Sequence, residues 1–226
     1  MKSIGDSAGS VRIYSANALA FDDARLAHFA GLLDEQETAR AERFVFDKHR
    51  RRFIAAHGFL REVLARETKR EARALSYEFG PNGKPRVIGS ALHFNLTHTG
   101  EHVVLAVGES ELGLDAEEIR ASRVDGPLAQ RVMTAEEFET WSQATRDDRV
   151  NAFFRLWSAK ECVMKATGRG MQLEPRSFAV FAPGSLDLYE RVASDGRDWT
   201  LHALQCPPEY SLAVATQGAV RLEHQT

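Results

Sequence analysis

Two acidic side chains stand close together in the chain with the types and spacing that bind a divalent cation. Asp115 and Glu117 occur in the sequence Gly-Leu-Asp-Ala-Glu at 113–117. In an extended strand, side chains two residues apart point to the same face. Neighbouring carboxylates repel unless a cation lies between them, and ligand sets made only of oxygen favour a hard ion such as Mg²⁺. The alternative interpretation is a solvated acid pair at the end of a strand.

A third acid, Glu161, lies in residues 147–166, which have the strongest helical pattern of the chain. At 100° per residue it falls on the same helix face as Val150 and Phe154. An isolated carboxylate among apolar side chains is costly to bury. We therefore expect a cation beside it, either Lys165 one turn later or a metal ion. The alternative is a Glu161–Lys165 pair at the edge of the apolar stripe, which contributes only a few tenths of a kcal/mol.

Groups that can bind phosphate occur in the polar segment 95–100, between two predicted strands. The hydroxyl of Thr97 and the imidazole of His98 stand there beside turn amides, and such a loop can hold a phosphate. The alternative is an ordinary hydrogen-bonded hairpin turn in which the histidine is incidental. The loop alone does not decide between these interpretations.

Charge is divided along the chain, although the net charge is only -3. Residues 40–73 carry eleven Lys and Arg against five Asp and Glu, whereas residues 109–148 carry eleven acids against four Arg. A basic block attracts anions and an acidic block attracts cations, but both can also be solvated helix faces. Candidate anion ligands are Arg40 and Arg52 in the basic block and Lys84 in a stiff Gly-Lys-Pro turn.

Hydrophobic periodicity predicts the elements that must position these groups. Helices are predicted over 22–33, 34–66 and 147–166, and a capping box at Thr134 and Glu137 predicts the start of another. Predicted strands cover 11–19, 92–96, 102–107, a short segment ending near Asp115, 176–182, 186–193, 198–205 and 210–216. The predicted order is a helix and a hairpin, followed by a helix and several strands. This order indicates an α+β fold of two similar halves joined near residue 112.

Composition narrows the class of protein. The chain has 226 residues, of which 43% are hydrophobic and 27% charged, so it should fold into one large or two small domains. Two cysteines are too few for a disulfide framework. No apolar run approaches the roughly 20 residues of a membrane helix, and residues 1–10 have no apolar signal-peptide core. We expect a cytoplasmic enzyme or binding protein, and no serine-hydrolase elbow, P-loop or zinc-protease motif competes.

Together these motifs resemble those of the 4'-phosphopantetheinyl transferase superfamily, of the longer Sfp type. The resemblance rests on GKP at 83–85, FNLTHTG at 94–100, GLDAEE at 113–118 and FFRLWSAKECVMKATGRGM at 153–171. It implies a pseudo-dimeric α+β fold with the active site in the cleft between two halves. Residues 1–112 would be the N-terminal half, on the side of the coenzyme A 3'-phosphate and adenine. Residues 113–226 would be the C-terminal half, which carries the metal-binding carboxylates.

The resemblance also implies an activity and roles for the candidate residues. The activity is Mg²⁺-dependent transfer of 4'-phosphopantetheine from coenzyme A to a serine of an apo acyl or peptidyl carrier protein, with release of 3',5'-ADP; Mn²⁺ is an alternative ion. Asp115, Glu117 and Glu161 would hold the metal. The residues implied to contact coenzyme A are Arg40, Arg52, Lys84, Thr97, His98 and Lys165. Asp115, Glu161 and Lys165 would be catalytic: Lys165 protonates the leaving group, and Glu161 or a metal-bound water deprotonates the serine.

Two other functions remain open from the sequence. A non-catalytic coenzyme A or carrier-protein binding module could keep the same fold, although the three acids needed for metal binding are present. A nucleic-acid binder could use residues 40–73, but the acidic second half and the scarcity of interleaved aromatic residues oppose that interpretation. We therefore predict no nucleic-acid or membrane partner, and two halves in one chain predict a monomer. The sequence does not identify which carrier protein is modified.

Overall fold

The structure is a computed structural model that describes residues 9–225. Residues 1–8 and 226 lie outside the described residues, and with them most of the segment used to predict the lack of a signal peptide. Within the described range the helices are α1 Asp23–Leu32, α2 Glu35–Glu42, α3 Asp47–Thr68, α4 Gly126–Val132, α5 Ala135–Gln143 and α6 Arg146–Thr167. The strands are β1 Gly9–Asn17, β2 Tyr77–Phe79, β3 Pro85–Val87, β4 His93–Thr99, β5 His102–Gly108, β6 Leu112–Glu118, β7 Arg191–Ser194, β8 Arg197–Ala203, β9 Tyr210–Thr216 and β10 Val220–Gln225.

Two four-stranded sheets form the centre of the molecule. The first has the order β10-β1-β5-β4 and the second the order β6-β9-β8-β7. All pairings are antiparallel except that of β1 with β10, by which the last described strand crosses back to the first sheet. The short strands β2 and β3 form a separate hairpin. No helix within residues 9–225 has the length and apolar character needed to cross a membrane.

The elements form four layers in the order helix, sheet, sheet, helix, and the alternation of side chains along the strands allows this order. On β5, Leu105 packs in one cluster with Val63 of α3, whereas Val104 packs in another with Leu114 and Val214 of the second sheet. Successive side chains of a strand point to opposite faces, so each sheet can bury both faces. The two sheets therefore share a core, and the 22-residue helices α3 and α6 cover their outer faces.

These two halves confirm the predicted α+β architecture, since each is built on a four-stranded sheet and one long helix, although β10 of residues 113–226 supplies the fourth strand of the first sheet. The predicted junction near residue 112 falls on the first residue of β6. The edge strands β4 and β6 lie side by side and are joined by side chains rather than by a regular ladder. The amide of Leu114 donates to Oδ1 of Asn95 at 2.7 Å, and the amide of Glu118 donates to Oγ1 of Thr99 at 2.9 Å.

The helix predicted over 34–66 is divided in two, because the chain leaves the helical conformation between α2 and α3. The break allows Phe44 to turn back onto Phe53, with ring centroids 5.5 Å apart. It also lets α2 fold against α3. Helical spacing of the apolar residues predicted one continuous helix, since spacing within a segment does not reveal where the chain turns back on itself. Strand β6 likewise runs to Glu118 rather than ending near Asp115.

Two predicted strands after α6 are wrong or shorter than predicted. Residues 176–182 contain the end of a 3₁₀ turn and an isolated bridge. Of the strand predicted over 186–193, only residues 191–193 belong to β7. A buried side chain replaces the strand partner, because Oε1 of Glu137 accepts from the amides of Val180 and Phe181 at 2.7 and 3.2 Å. Buried backbone amides need a partner, and a side chain can serve as well as a neighbouring strand.

Candidate active site

The approach of β6 to α6 brings the acidic residues of the two motifs together. Gly113 of β6 lies directly against the helix: a Cβ at this position would be 2.0 Å from the carbonyl oxygen of Cys162 and 2.3 Å from the amide nitrogen of Ala166. Only a residue without a side chain allows this contact without a backbone shift. The glycine thus sets the distance between Asp115 on the strand and Glu161 on the helix.

Lys165 bridges the acids of the strand and the helix. Its Nζ lies 2.6 Å from Oδ1 of Asp115 and 3.4 Å from Oε2 of Glu161, so both carboxylates share one ammonium group. Thr97 of β4 donates its hydroxyl to Oδ1 of Asp115 at 3.4 Å. Glu117 is bonded on another side, by Nε1 of Trp157 at 3.0 Å. The four acidic and basic groups and Thr97 line one cavity of about 590 Å³.

Burial and mutual repulsion disfavour negative charge on these acids. Burial, and then the charges of Asp115 and Glu161, raise the pKa of Glu117 to about 7. Burial also raises the pKa values of Asp115 and Glu161, although Lys165 opposes the shift in both. Burial alone would lower the pKa of Lys165, but its two carboxylate neighbours raise it. Three carboxylates therefore lie near a single ammonium group. A bound cation would stabilise the ionised form of these carboxylates.

The donor set fits a hard cation. Oδ2 of Asp115 is buried and has no hydrogen-bond partner within residues 9–225, so one carboxylate oxygen is left for a ligand that is not protein. Within the same residues no group of three or more His, Cys, Asp and Glu side chains forms a compact metal cage. Mg²⁺ usually binds through one or two carboxylates and takes waters and phosphate oxygens as its other ligands. The carboxylates therefore suit an ion that arrives with a phosphate ligand.

Basic and aromatic side chains of α2 and α3 form a second wall of the same cavity. Arg40 of α2 and Arg52 of α3 belong to this basic wall, and His98 of β4 lines the cavity as well. The guanidinium of Arg40 lies over the ring of Phe53, 5.1 Å from its centroid. The cavity is thus lined by carboxylates and Lys165 from β6 and α6 and by two arginines from α2 and α3. Cationic groups on different elements suit a ligand that carries more than one anionic group.

The structure does not bring Lys84 to this cavity. Its Nζ donates instead to the carbonyl oxygens of Leu112 at 2.8 Å and Ala166 at 2.9 Å. Burial lowers the pKa of Lys84 to about 8. Its side chain joins the start of β6 to the end of α6, so the geometry does not support the predicted contact of this ammonium group with coenzyme A. The side chain of a lysine in a turn is long and flexible, so the groups that it contacts depend on the tertiary structure.

Sequence reasoning missed three residues of the site. Trp157 is not among the predicted site residues, yet its indole Nε1 donates to Oε1 of Glu117 at 3.0 Å and orients that carboxylate. His49 and His57 of α3 also line the cavity. The sequence offered one indication of their role: they lie three residues before and five residues after Arg52 on the same helix. Helical spacing alone does not show which face of a polar helix meets a cavity.

Comparison with known proteins shows the family to which the chain belongs. Residues 111–215 match a family model described as the 4'-phosphopantetheinyl transferase superfamily. Residues 22–110 match a second model, described as the N-terminal part of 4'-phosphopantetheinyl transferase. The two models meet at the β5–β6 connection, next to the first residue of β6.

Curated relatives carry the same name. The chain is 30% identical over 191 residues to the 4'-phosphopantetheinyl transferase psf-1 of Bacillus pumilus, covering 84% of this chain and 81% of that protein. It is 34% identical over 154 residues to the 4'-phosphopantetheinyl transferase HetI of a Nostoc species, covering 66% of this chain and 65% of that protein. The 4'-phosphopantetheinyl transferase Sfp of Bacillus subtilis is 24% identical over 153 residues, 67% of each chain. The chain belongs to the 4'-phosphopantetheinyl transferase superfamily, a class of transferase enzymes.

Proposed function

We propose that this protein transfers the 4'-phosphopantetheine group of coenzyme A to a serine of an apo acyl or peptidyl carrier protein and releases 3',5'-ADP. The observation that carries the proposal is the single cavity in which Asp115, Glu161 and Lys165 face a wall that contains Arg40 and Arg52. Coenzyme A has a pyrophosphate at its reacting bond and a separate 3'-phosphate. The two ends of the cavity offer cationic groups for both.

The proposed binding mode follows the charges of the cavity. The reacting pyrophosphate lies beside Lys165, Thr97 and His98, whose ammonium, hydroxyl and imidazole groups can donate to phosphate oxygens. Arg40 and Arg52 bind the 3'-phosphate side. Phosphoryl transfer depends mainly on positioning and on neutralising charge at the phosphate, and these groups supply both.

The proposed reaction is a displacement at phosphorus. The serine oxygen of the carrier forms a bond to the phosphorus of the phosphopantetheine side, and the bond from that phosphorus to the 3',5'-ADP oxygen breaks. Glu161, whose pKa is raised by burial and by Asp115, accepts the serine proton. Lys165 donates to the departing phosphate oxygen. The proposed base and the proposed acid are neighbours, because Nζ of Lys165 lies 3.4 Å from Oε2 of Glu161.

Asp115, Glu117 and Glu161 are the proposed ligands of Mg²⁺ or Mn²⁺. When bound, the ion would neutralise charge on the pyrophosphate and on the three carboxylates. Oδ2 of Asp115 supports this assignment, because it is buried and has no hydrogen-bond partner among residues 9–225. We further propose residues 1–112 and 113–226 as the halves that hold the coenzyme A side and the metal side, and a monomer that acts in the cytoplasm.

A second candidate function is a non-catalytic module that binds coenzyme A or a carrier protein in the same cavity. It would need Arg40, Arg52 and Lys165 to bind the anionic groups, but not the three carboxylates. The carboxylates of Asp115, Glu117 and Glu161 line this cavity and favour the catalytic proposal, because a module that only binds anionic coenzyme A has no evident use for three acids there.

Mass spectrometry of several apo carrier proteins incubated with the protein, coenzyme A and Mg²⁺ tests the proposal. We expect each accepted carrier to gain one phosphopantetheine, and we expect EDTA to abolish the gain. A folded protein that binds coenzyme A but modifies no carrier would support the binding module instead.

The Glu161→Gln variant tests the proposed role of the carboxylate. The change removes the charge but almost no volume, so we expect the fold to persist and the transfer rate to fall by roughly 100-fold or more, in the range typical of a lost general base. Glu139→Gln, at an exposed position of α5, is the matched control and should retain the wild-type rate. Wild-type transfer by Glu161→Gln would remove Glu161 from the reaction.

A further inference from the structure

The turn between β2 and β3 reaches across to the C-terminal end of α6. This turn, residues 80–84, belongs to the N-terminal half. Nδ2 of Asn82 donates to the carbonyl oxygen of Gly168 at 3.0 Å, and Nζ of Lys84 donates to that of Ala166 at 2.9 Å. Both acceptors lie at the end of α6, in the C-terminal half. The two side chains therefore form a clasp between the halves.

The clasp supplies partners to carbonyl groups at the end of the helix. The last four carbonyl groups of an α-helix have no amide partner within the helix. In α6 the amide of Gly168 donates to the carbonyl oxygen of Lys165 at 3.2 Å. The carbonyl of Ala166, one residue later, accepts from Lys84, whose positive charge also suits the negative end of the helix dipole. The N-terminal half thus completes the C-terminal cap of α6.

The ammonium group of Lys84 also holds the strand that packs against α6. Its Nζ donates to the carbonyl oxygen of Leu112 at 2.8 Å. Leu112 begins β6 and lies three residues before Asp115. Ala166, the other acceptor, directly follows Lys165 on α6. One ammonium group thus fixes the strand and the helix close to the ion pair of Asp115 and Lys165.

A buried ammonium group is a costly way to join two elements. Burial lowers the pKa of Lys84 to about 8; the charge of Glu111 opposes the shift, whereas those of Arg86 and Arg197 add to it. An apolar side chain could fill the same space without that cost. The ammonium group adds direction instead, since it donates to two carbonyl oxygens on different elements. This favours a role in positioning over a role in stability alone.

We propose that Asn82 and Lys84 position the end of α6 for transfer, and that Lys84 acts through Lys165 without touching coenzyme A. This inference rests on the proposed function, in which Lys165 donates to the departing phosphate oxygen. The rate depends on that alignment, since a displacement of about 1 Å can slow a reaction about 100-fold. The affinity for coenzyme A depends on it less, because Arg40 and Arg52 bind the ligand from other elements.

Transfer kinetics and calorimetry of the Lys84→Met variant test the inference. The new side chain fills similar space but cannot donate to the two carbonyl groups. We expect kcat to fall about tenfold, while the dissociation constant of coenzyme A in the presence of Mg²⁺ changes less than about twofold. Lys84→Arg keeps the charge and the donors and should recover part of the lost rate. Lys48→Met, at an exposed position of α3, is the matched control and should keep both constants.

A double-mutant cycle shows whether the clasp acts through Lys165. The Lys165→Gln variant lacks the donor to the leaving group, so its alignment no longer matters. Adding Lys84→Met to this variant should slow transfer further by less than about twofold. Asn82→Ala removes the other bond of the clasp at an exposed position and leaves the buried bonds in place. We expect it to lower kcat about threefold at unchanged affinity, and it decides the question if Lys84→Met does not fold.

Three outcomes would overturn the inference. Wild-type kcat in folded clasp variants shows that transfer does not need the clasp. A loss of coenzyme A affinity at unchanged kcat makes Lys84 a ligand of coenzyme A. Equal slowing by Lys84→Met with and without the Lys165 side chain assigns the clasp to stability only. Each of these leaves the proposed function intact as long as the wild-type protein modifies a carrier; if it modifies none, both proposals are wrong.

Discussion

Two lysines of one helix show how position decides the role of a side chain. Lys160 and Lys165 are five residues apart on α6, so they point in directions about 140° apart around the helix axis. Nζ of Lys160 is buried and lies 2.7 Å from Glu137 Oε2, and it also donates to the carbonyl oxygens of Pro175 and Phe178. Lys165 faces the cavity instead. One lysine therefore supports the chain after the helix and the other takes part in the site.

The Lys160→Met variant tests the structural role. It leaves the carboxylate of Glu137 buried without its cation, and breaking a buried pair in this way typically costs about 3–5 kcal/mol. We expect urea denaturation to show a loss of that size in the free energy of unfolding. Folded molecules should keep their transfer rate, because Lys160 does not line the cavity. Lys48→Met, at an exposed position of α3, is the control, and an equally small effect in both variants would contradict the prediction.

At the scale of elements, the site depends on how closely a strand and a helix approach. Gly113 brings β6 against the backbone of α6, and Lys84 joins the ends of the same two elements through two carbonyl groups. The side-chain bonds from Asn95 and Thr99 then place β4 beside β6. Thr97 reaches Asp115 because of this alignment. The acidic end of the cavity is thus assembled from three elements that are distant in sequence.

The Gly113→Ala variant tests this approach. The new Cβ would meet helix backbone atoms at 2.0 and 2.3 Å, which cannot move as a flexible side chain does. We expect a loss of about 1–3 kcal/mol in the free energy of unfolding and a lower transfer rate in the folded variant, because Asp115 moves relative to Lys165. Gly31→Ala is the control: its Cβ would meet nothing within 4 Å, so helix α1 should gain up to about 1 kcal/mol. Similar stability of both variants would show that the contact can relax.

At the scale of the whole molecule, the cavity is bounded by both halves. Its basic wall comes from α2 and α3, and its acidic end comes from β6 and α6. A ligand that touches both walls binds only the folded arrangement, so binding adds to the free energy of unfolding. Strand β10 also links the end of the chain to the first sheet, which favours unfolding of the two halves together.

Thermal unfolding with ligand tests this coupling. Coenzyme A at 100 times its dissociation constant should add about 2.7 kcal/mol, or roughly 5–10 °C in Tm for a chain of this size. We expect Mg²⁺ to increase the coenzyme A shift, EDTA to remove that increase, and Glu161→Gln to lose it. Mg²⁺ without coenzyme A is the control. An identical coenzyme A shift with and without the ion would argue against a shared metal and phosphate site.

The sequence by itself determined what depends on neighbouring residues. Periodicity predicted α6, the β4–β5 hairpin and the capping box at Thr134, because a helix turn or a strand pleat fixes which nearby side chains share a face. Residue type predicted the acids and arginines that line the cavity. Spacing also predicted that Glu161 needs a cation beside it, and Lys165 supplies one.

Only the tertiary structure decided what depends on distant partners. It directed Lys84 to the carbonyls of Leu112 and Ala166, and it satisfied the amides of Val180 and Phe181 with Glu137 where a strand was predicted. It also brought His57 to the cavity. A long polar side chain or an unpaired amide can reach any of several partners, and the choice among them follows from packing of elements that the local pattern does not contain.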